Sequence, residues 1–211
     1  MRKTLPTLLA AGLAAAAFTT STQALAYGAG DFFTRLGVAK VAPKSDNGSL
    51  AQGAVAVDVQ DDTRFAFTLG YRFHDKIGVE LLAAEQFEHD IELSIGGDVV
   101  DVASTKHLPP TLTLQYYPLG GTEARVQPYV GVGVNYTRFS SESSELGDLN
   151  LSSSWGAAGQ VGVDLLINDN WALNAAAWYI DIDTDASLDG AEIGTVEIDP
   201  LVVMGGISYR F

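Results

Sequence analysis

The stretch Arg64-Phe65-Ala66-Phe67-Thr68-Leu69-Gly70-Tyr71-Arg72-Phe73 decides the fold. Its odd positions are all large and apolar, whereas its even positions are small or polar. A period of two sustained over this length is a β-strand whose two faces meet different surroundings. The same alternation runs from Gln127 to Thr137. There Gln127, Tyr129, Gly131, Gly133, Asn135 and Thr137 face one way, and Pro128, Val130, Val132, Val134 and Tyr136 the other.

Working outward, the pattern predicts strands near 31–41, 63–73, 77–92, 108–117, 126–139, 154–167, 171–183 and 196–211. His74-Asp75-Lys76, Pro118 to Arg125 and Asn168-Asp169-Asn170 read as short turns, and 42–62, 93–107, 140–153 and 184–195 as longer polar connections. Short and long alternate, as in an up-and-down sheet closed on itself with a tight end and a loopy end. Such a barrel has either an apolar lumen and a wet exterior, or the reverse. The small and polar face suits the narrow interior of eight strands, and the bulky face suits lipid. Phe73, Tyr116, Tyr136, Trp155, Trp171, Tyr179, Tyr209 and Phe211 fall near strand ends, where interfacial aromatic girdles belong. The expectation is an all-β, eight-stranded antiparallel transmembrane barrel with short periplasmic turns and longer extracellular loops. A soluble sandwich core, which also alternates, is the competing architecture.

Composition agrees with the membrane reading. In a chain of 211 residues, 47% hydrophobic and 18% charged, much apolar surface must be buried against something. With 12 basic residues against 26 acidic, nucleic acid is excluded as a general partner, because phosphates require cations. The absence of cysteine removes disulfides and thiolate chemistry. Arg2 and Lys3, an apolar run from Leu8 to Phe18 and the closing Ala24-Leu25-Ala26 form a secretory leader over 1–26, leaving 27–211 as the barrel. Loss of its two cations takes the net charge from −14 to −16.

Asp31-Phe32-Phe33-Thr34-Arg35-Leu36-Gly37, Ile77 to Ala84, His107 to Leu112, Gln127-Pro128-Tyr129-Val130-Gly131, Ser154 to Asp164, Trp178 to Thr184 and Tyr209-Arg210-Phe211 closely resemble the OmpW family of bacterial outer-membrane proteins. The resemblance implies an eight-stranded outer-membrane barrel with an apolar lumen that admits small hydrophobic molecules. It places a lumen constriction at Leu82 and Trp178. It also makes the terminal Phe211 an assembly signal, with the barrel assembly machinery as its partner. Strand parity independently turns Leu82 and Trp178 inward, since Ile77, Val79 and Leu81, and likewise Trp171, Leu173, Ala175, Ala177 and Tyr179, read outward. The alternative is that both simply fill the barrel.

A pocket of Leu82, Trp178, Ala84, Val202 and Met204 would hold an apolar solute, at about 25 cal/mol for each Å² withdrawn from water. Arg72, Glu80, Gln115, Gln160, Asp164 and Arg210 also read inward, with enough charge of both signs to pair and block the periplasmic half. Release would then be sideways through the wall, where Pro109-Pro110 and Pro200 lack the N–H a ladder needs. The expected function is uptake of small hydrophobic molecules, with outer-membrane lipids and lipopolysaccharide as surroundings and no cofactor. The rival is a structural or interaction barrel whose acidic loops bind partners.

Two further patterns carry less. Asp181 to Glu192 imitates a calcium loop but has Ala186 where the sharp turn requires glycine, so no metal site is expected. His89 or His107 with Ser94 or Ser104 would suit a hydrolase only in a geometry that sequence does not supply, so no catalytic set is assigned; His107 reads as a cap on the strand at 108–117.

Overall fold

The computed structural model describes residues 28–45, 47–144 and 147–211. The leader expected at 1–26 lies outside the described residues. In chain order the strands are β1 (Phe32–Ala42), β2 (Ser49–Leu50), β3 (Val55–Val59), β4 (Asp62–His74), β5 (Ile77–Ala84), β6 (Phe87–Ile95), β7 (Asp98–Leu108) and β8 (Thr111–Tyr116). They continue as β9 (Val126–Ser143), β10 (Leu149–Leu151), β11 (Ser154–Leu166), β12 (Trp171–Ile180), β13 (Asp183–Leu188), β14 (Ala191–Glu197) and β15 (Leu201–Arg210).

Eight of these close a barrel in the order β11-β12-β15-β1-β4-β5-β8-β9, with β9 pairing back onto β11. Every pairing is antiparallel. Closure leaves the wall without an edge, the condition for a sheet to stand in lipid. Leu36, Val38, Leu69, Leu114, Val132, Val161, Leu173 and Val203 are exposed on the outer face, forming the apolar band. Trp171, Tyr209 and Phe211 pack together at the tight end, with ring centroids 4.7 and 5.1 Å apart, and Tyr136 and Trp155 at the other.

The long connections are not loops. β7, β6, β3 and β2 extend the wall outward from the upper part of β9, and β10, β13 and β14 form a second, three-stranded sheet. The predicted strand at 77–92 breaks at Glu85-Gln86 into β5 and β6, and 171–183 and 196–211 divide likewise. The reason is that the extension keeps the period of two while changing its outer face. Phe87, His89, Ile91 and Leu93 turn inward, and the alternating Glu88 and Asp90 meet water instead of lipid. Charged residues on the outer face mark where the strands leave the membrane.

Two glycines let the interior close. A side chain at Gly70 would place Cβ 2.0 Å from the Phe33 ring, and one at Gly162 would sit 2.3 Å from the Tyr129 ring. Each aromatic ring lies flat on a neighbouring strand's glycine, as in sheets where a ring covers bare backbone.

Candidate functional site

The lumen has three levels. At the lowest, Arg35 of β1 stands between Glu80 of β5 and Asp164 of β11, with all three side chains fully buried. Its Nη1 binds Glu80 Oε2, and its Nε and Nη2 donate to the two Asp164 oxygens at 3.2 and 2.6 Å. The guanidinium lies 4.4 Å from the centre of the Phe33 ring and 4.5 Å from that of Tyr129, the same rings that cover Gly70 and Gly162. Buried charges persist only when their remaining sites are bonded. Glu80 accordingly accepts from Thr68 Oγ1, Gln115 Nε2 and Gln160 Nε2 at 2.8, 2.9 and 2.7 Å, and Asp164 from Asn174 Nδ2 at 2.8 Å. Tyr117 closes the ring, accepting from Arg35 Nη2 at 3.2 Å and donating to Gln115 Oε1 at 2.6 Å. This network ties β1, β4, β5, β8, β11 and β12 together across the lumen.

Above it the lumen turns apolar. Leu82, Trp178, Val202 and Met204 are buried, with Trp178 opposite Val202 in register and Met204 opposite Ala176. A cavity of only about 10 Å³, roughly one water, is lined by Leu82, Ala84, Phe87, Pro109, Ile180 and Val202, among others. Beside it the wall is incomplete. The β5–β8 ladder ends at Leu82 opposite Thr111, and pairing resumes only at Phe87 opposite His107. Ala83 and Ala84 pair with Phe67 and Ala66 of β4 but have no ladder partner toward Pro109 and Pro110. The Pro110 carbonyl turns to β9 instead, accepting from Tyr136 N and Asn135 Nδ2. At Pro200 the seam is bridged, since its carbonyl accepts from Ile180 N at 3.2 Å.

The third level lies in the extension, between its two sheets. There a cavity of about 130 Å³ is lined by Leu50, Val55, Val57, Ile91, Leu93, Ala103, Leu149, Leu151, Ala186, Leu188, Ile193 and Val196, with Ala51 and Ser144 completing it. Among the described lining residues, Ser144 is the one polar side chain. Beside the second sheet, Asp181, Asp183 and Asp199 bring carboxylate oxygens within 4.8 Å of one another. Lys44 answers them, with Nζ 3.1 Å from Asp199 and a second contact to Glu197. Those hydrogen bonds raise the Lys44 pKa, while partial burial, followed by the charges of Asp199 and Asp181, raises that of Asp183. The stretch 181–192 is strand and hairpin, turning at Asp189-Gly190.

A family model described as the OmpW family matches residues 28–211. The chain belongs to the OmpW family. Outer membrane protein W of Escherichia coli K12 is 44% identical, covering 94% of this chain and 98% of the relative. Its namesake in Vibrio cholerae is 41% identical, covering 95% and 97%. The crystal structure of the outer membrane protein OprG from Pseudomonas aeruginosa superposes with a TM-score of 0.81 at 38% identity, covering 90% of this chain and 99% of the other. This OmpW chain is therefore an outer-membrane barrel, as these relatives are.

Within the OmpW fold, the inward charges expected from the sequence separate. Glu80, Gln115, Gln160 and Asp164 join the floor. Arg72 lies lower, 3.9 Å over the Tyr117 ring, and Arg210 reaches the rim, 3.2 Å from Asp31. Arg35, the cation at the centre, was missed, although outward Leu36 and Val38 fix its parity. His89 and His107 face inward, whereas Ser104 lies on the outer face of the same sheet between buried Ala103 and Thr105. His107 caps nothing: it sits within β7, stacked between His89 and Phe139.

Proposed function

We propose that this barrel takes up small hydrophobic molecules from outside and releases them sideways into the outer membrane. The observation that carries this reading is the vertical order of the lumen. An apolar chamber stands at the outer end, a smaller apolar cavity bordered by Leu82 lies further in, and a salt-bridged floor stands below both. A solute that gains about 25 cal/mol per Å² in the chamber has no comparable environment beneath it. The way out is the unpaired segment beside Pro109 and Pro110, where parting the wall breaks no ladder hydrogen bond. Leu82, Ala84 and Val202 border the cavity beside that exit, Trp178 and Met204 are buried without lining it, and Pro200 lies where the wall is bridged. Catalysis has no part in this function.

The test is entry of an apolar fluorophore into the membrane of vesicles containing the protein. Ala186→Phe fills the chamber and should slow entry, as should replacing Pro109 and Pro110 with Val. Trp178→Arg in barrels that still insert should abolish it. Unchanged entry in all three favours the structural or interaction barrel instead.

A further inference from the structure

Between the outer chamber and the cavity at Leu82 lies a level that neither apolar transport nor packing explains. On β6 the inward side chains run Leu93, Ile91, His89, Phe87, and on β7 they run Ala103, Thr105, His107. Leu93, Ile91 and Ala103 line the chamber, and Phe87 lines the lower cavity. His89 and Thr105, directly opposite one another, and His107, opposite Phe87, therefore form a polar collar between two apolar spaces. The imidazoles stack with centroids 4.8 Å apart, and Phe87 and Phe139 flank His107 at 5.7 and 5.9 Å. All three polar side chains are buried, yet His89 Nε2, both ring nitrogens of His107 and Thr105 Oγ1 have no hydrogen-bond partner among the described residues.

A cluster of unbonded polar atoms inside an apolar passage is costly and calls for a ligand. The tautomers say which kind. His89 Nδ1 lies 2.5 Å from the Gln60 carbonyl oxygen, which only accepts. The proton is therefore on Nδ1, and Nε2 presents a bare lone pair. A neutral His107 offers one N–H and one lone pair, and Thr105 offers a hydroxyl. Burial holds His107 down to about 3, and His89 is lowered for the same reason, so both rings are neutral at pH 7. Two carboxylates, Asp61 and Asp62, act on His89 against one cation, Arg64, and Asp62 acts on both rings, so the balance of charge disfavours an anionic head group.

We propose that the collar at His89, Thr105 and His107 is a head-group site for amphiphiles that carry a single neutral hydroxyl on an apolar tail, such as a medium-chain alcohol. The hydroxyl donates to His89 Nε2 and accepts from the His107 N–H, while the tail occupies the chamber. A ketone or ester, which only accepts, leaves His89 Nε2 unbonded, and a pure alkane leaves the whole collar so. This proposal rests on the chamber being the entry site and names the class of solute that the entry selects.

The experiment uses the full barrel in lipid nanodiscs, with an apolar fluorophore displaced from the chamber by 1-octanol or by octane. After correction for partition into lipid, 1-octanol should compete about tenfold better than octane, as two net hydrogen bonds allow. His89→Phe, which keeps the aromatic stack, should erase that preference and leave octane competition intact. In the wild-type protein, 1-octanol should move the His89 ring nitrogen resonances and octane should not, a readout that requires no variant. Equal competition by both probes overturns the collar, as does a preference that disappears on adding a chelator, which would assign the nitrogens to a metal ion. Ala186→Phe tests the underlying reading separately. If it weakens neither probe, the chamber is not the entry; if it weakens both while His89→Phe changes nothing, the conduit stands and the collar falls.

Discussion

Replacing Arg35 with Leu removes the cation that is bonded to two fully buried carboxylates, Glu80 and Asp164. Leu fills much of the space between Phe33 and Tyr129 but donates nothing. Three guanidinium bonds to carboxylates and one to Tyr117 disappear together. Breaking a buried ion pair by removing one partner costs about 3–5 kcal/mol, mostly from stranding the opposite charge. The folding constant should therefore fall at least a hundredfold, at ~1.4 kcal/mol per tenfold. Urea unfolding in lipid vesicles, followed by tryptophan fluorescence and by the mobility of folded barrel on gels, measures the loss. The reasoning makes a second demand. Adding Glu80→Gln and Asp164→Asn to Arg35→Leu removes the stranded charges, keeps their hydrogen-bonding shape and should recover most of the stability. An Arg35→Leu barrel as stable as the parent, or a triple variant no better than the single one, would refute the view that the floor is held by compensated charge.

His107 gives a pH prediction outside the membrane. Its folded pKa of about 3 lies below the ordinary 6.5, so between these values the unfolded extension binds a proton that the folded one refuses. Stability of the β6–β7 hairpin is complete above pH 6.5 and falls as pH drops toward 3, by up to about 5 kcal/mol at ~1.4 kcal/mol per pH unit. Amide exchange, corrected for its intrinsic pH dependence, should show this loss, and His107→Phe should flatten it. Gly70→Val drives its side chain into the Phe33 ring and should cost about 1–3 kcal/mol as that ring leaves its rotamer, read by the same urea titration. Deleting Phe211, which packs edge-on against Tyr209 at the tight rim, should lower the yield of inserted barrel in cells while refolding of the purified chain changes little. Equal losses in both assays would make the residue structural and not an assembly signal.

Parity made the wall legible. In the stretch from Arg64 to Phe73, each even residue faces the lumen and each odd one the lipid, because one residue of slip would exchange the faces entirely. The floor was half legible. Glu80, Gln115, Gln160 and Asp164 stand out as polar residues among apolar neighbours, but Arg35 sits in a strand whose interior also holds Phe33, Ala39 and Val41, and a mixed face gives a weaker pattern. The extension was illegible for a different reason. Charged residues alternating with Ile91 and Leu93 resemble a polar loop until it is recognised that a strand above the bilayer exposes the same backbone to water. The outer chamber depends on two sheets separated in sequence, β2-β3-β6-β7 and β10-β13-β14, and no local pattern reports that meeting.

The length of β9 has a bearing on where the molecule meets its surroundings. Eighteen residues at ~3.3 Å each run nearly 60 Å along the strand, which at a tilt of ~40° rises about 45 Å. The apolar band of such a barrel needs only ~25 Å, leaving about 20 Å standing clear of the hydrocarbon. Under the uptake proposed above, a chimney of that height sets the mouth of the chamber well clear of the hydrocarbon, so a solute would be met above the membrane surface and not at it.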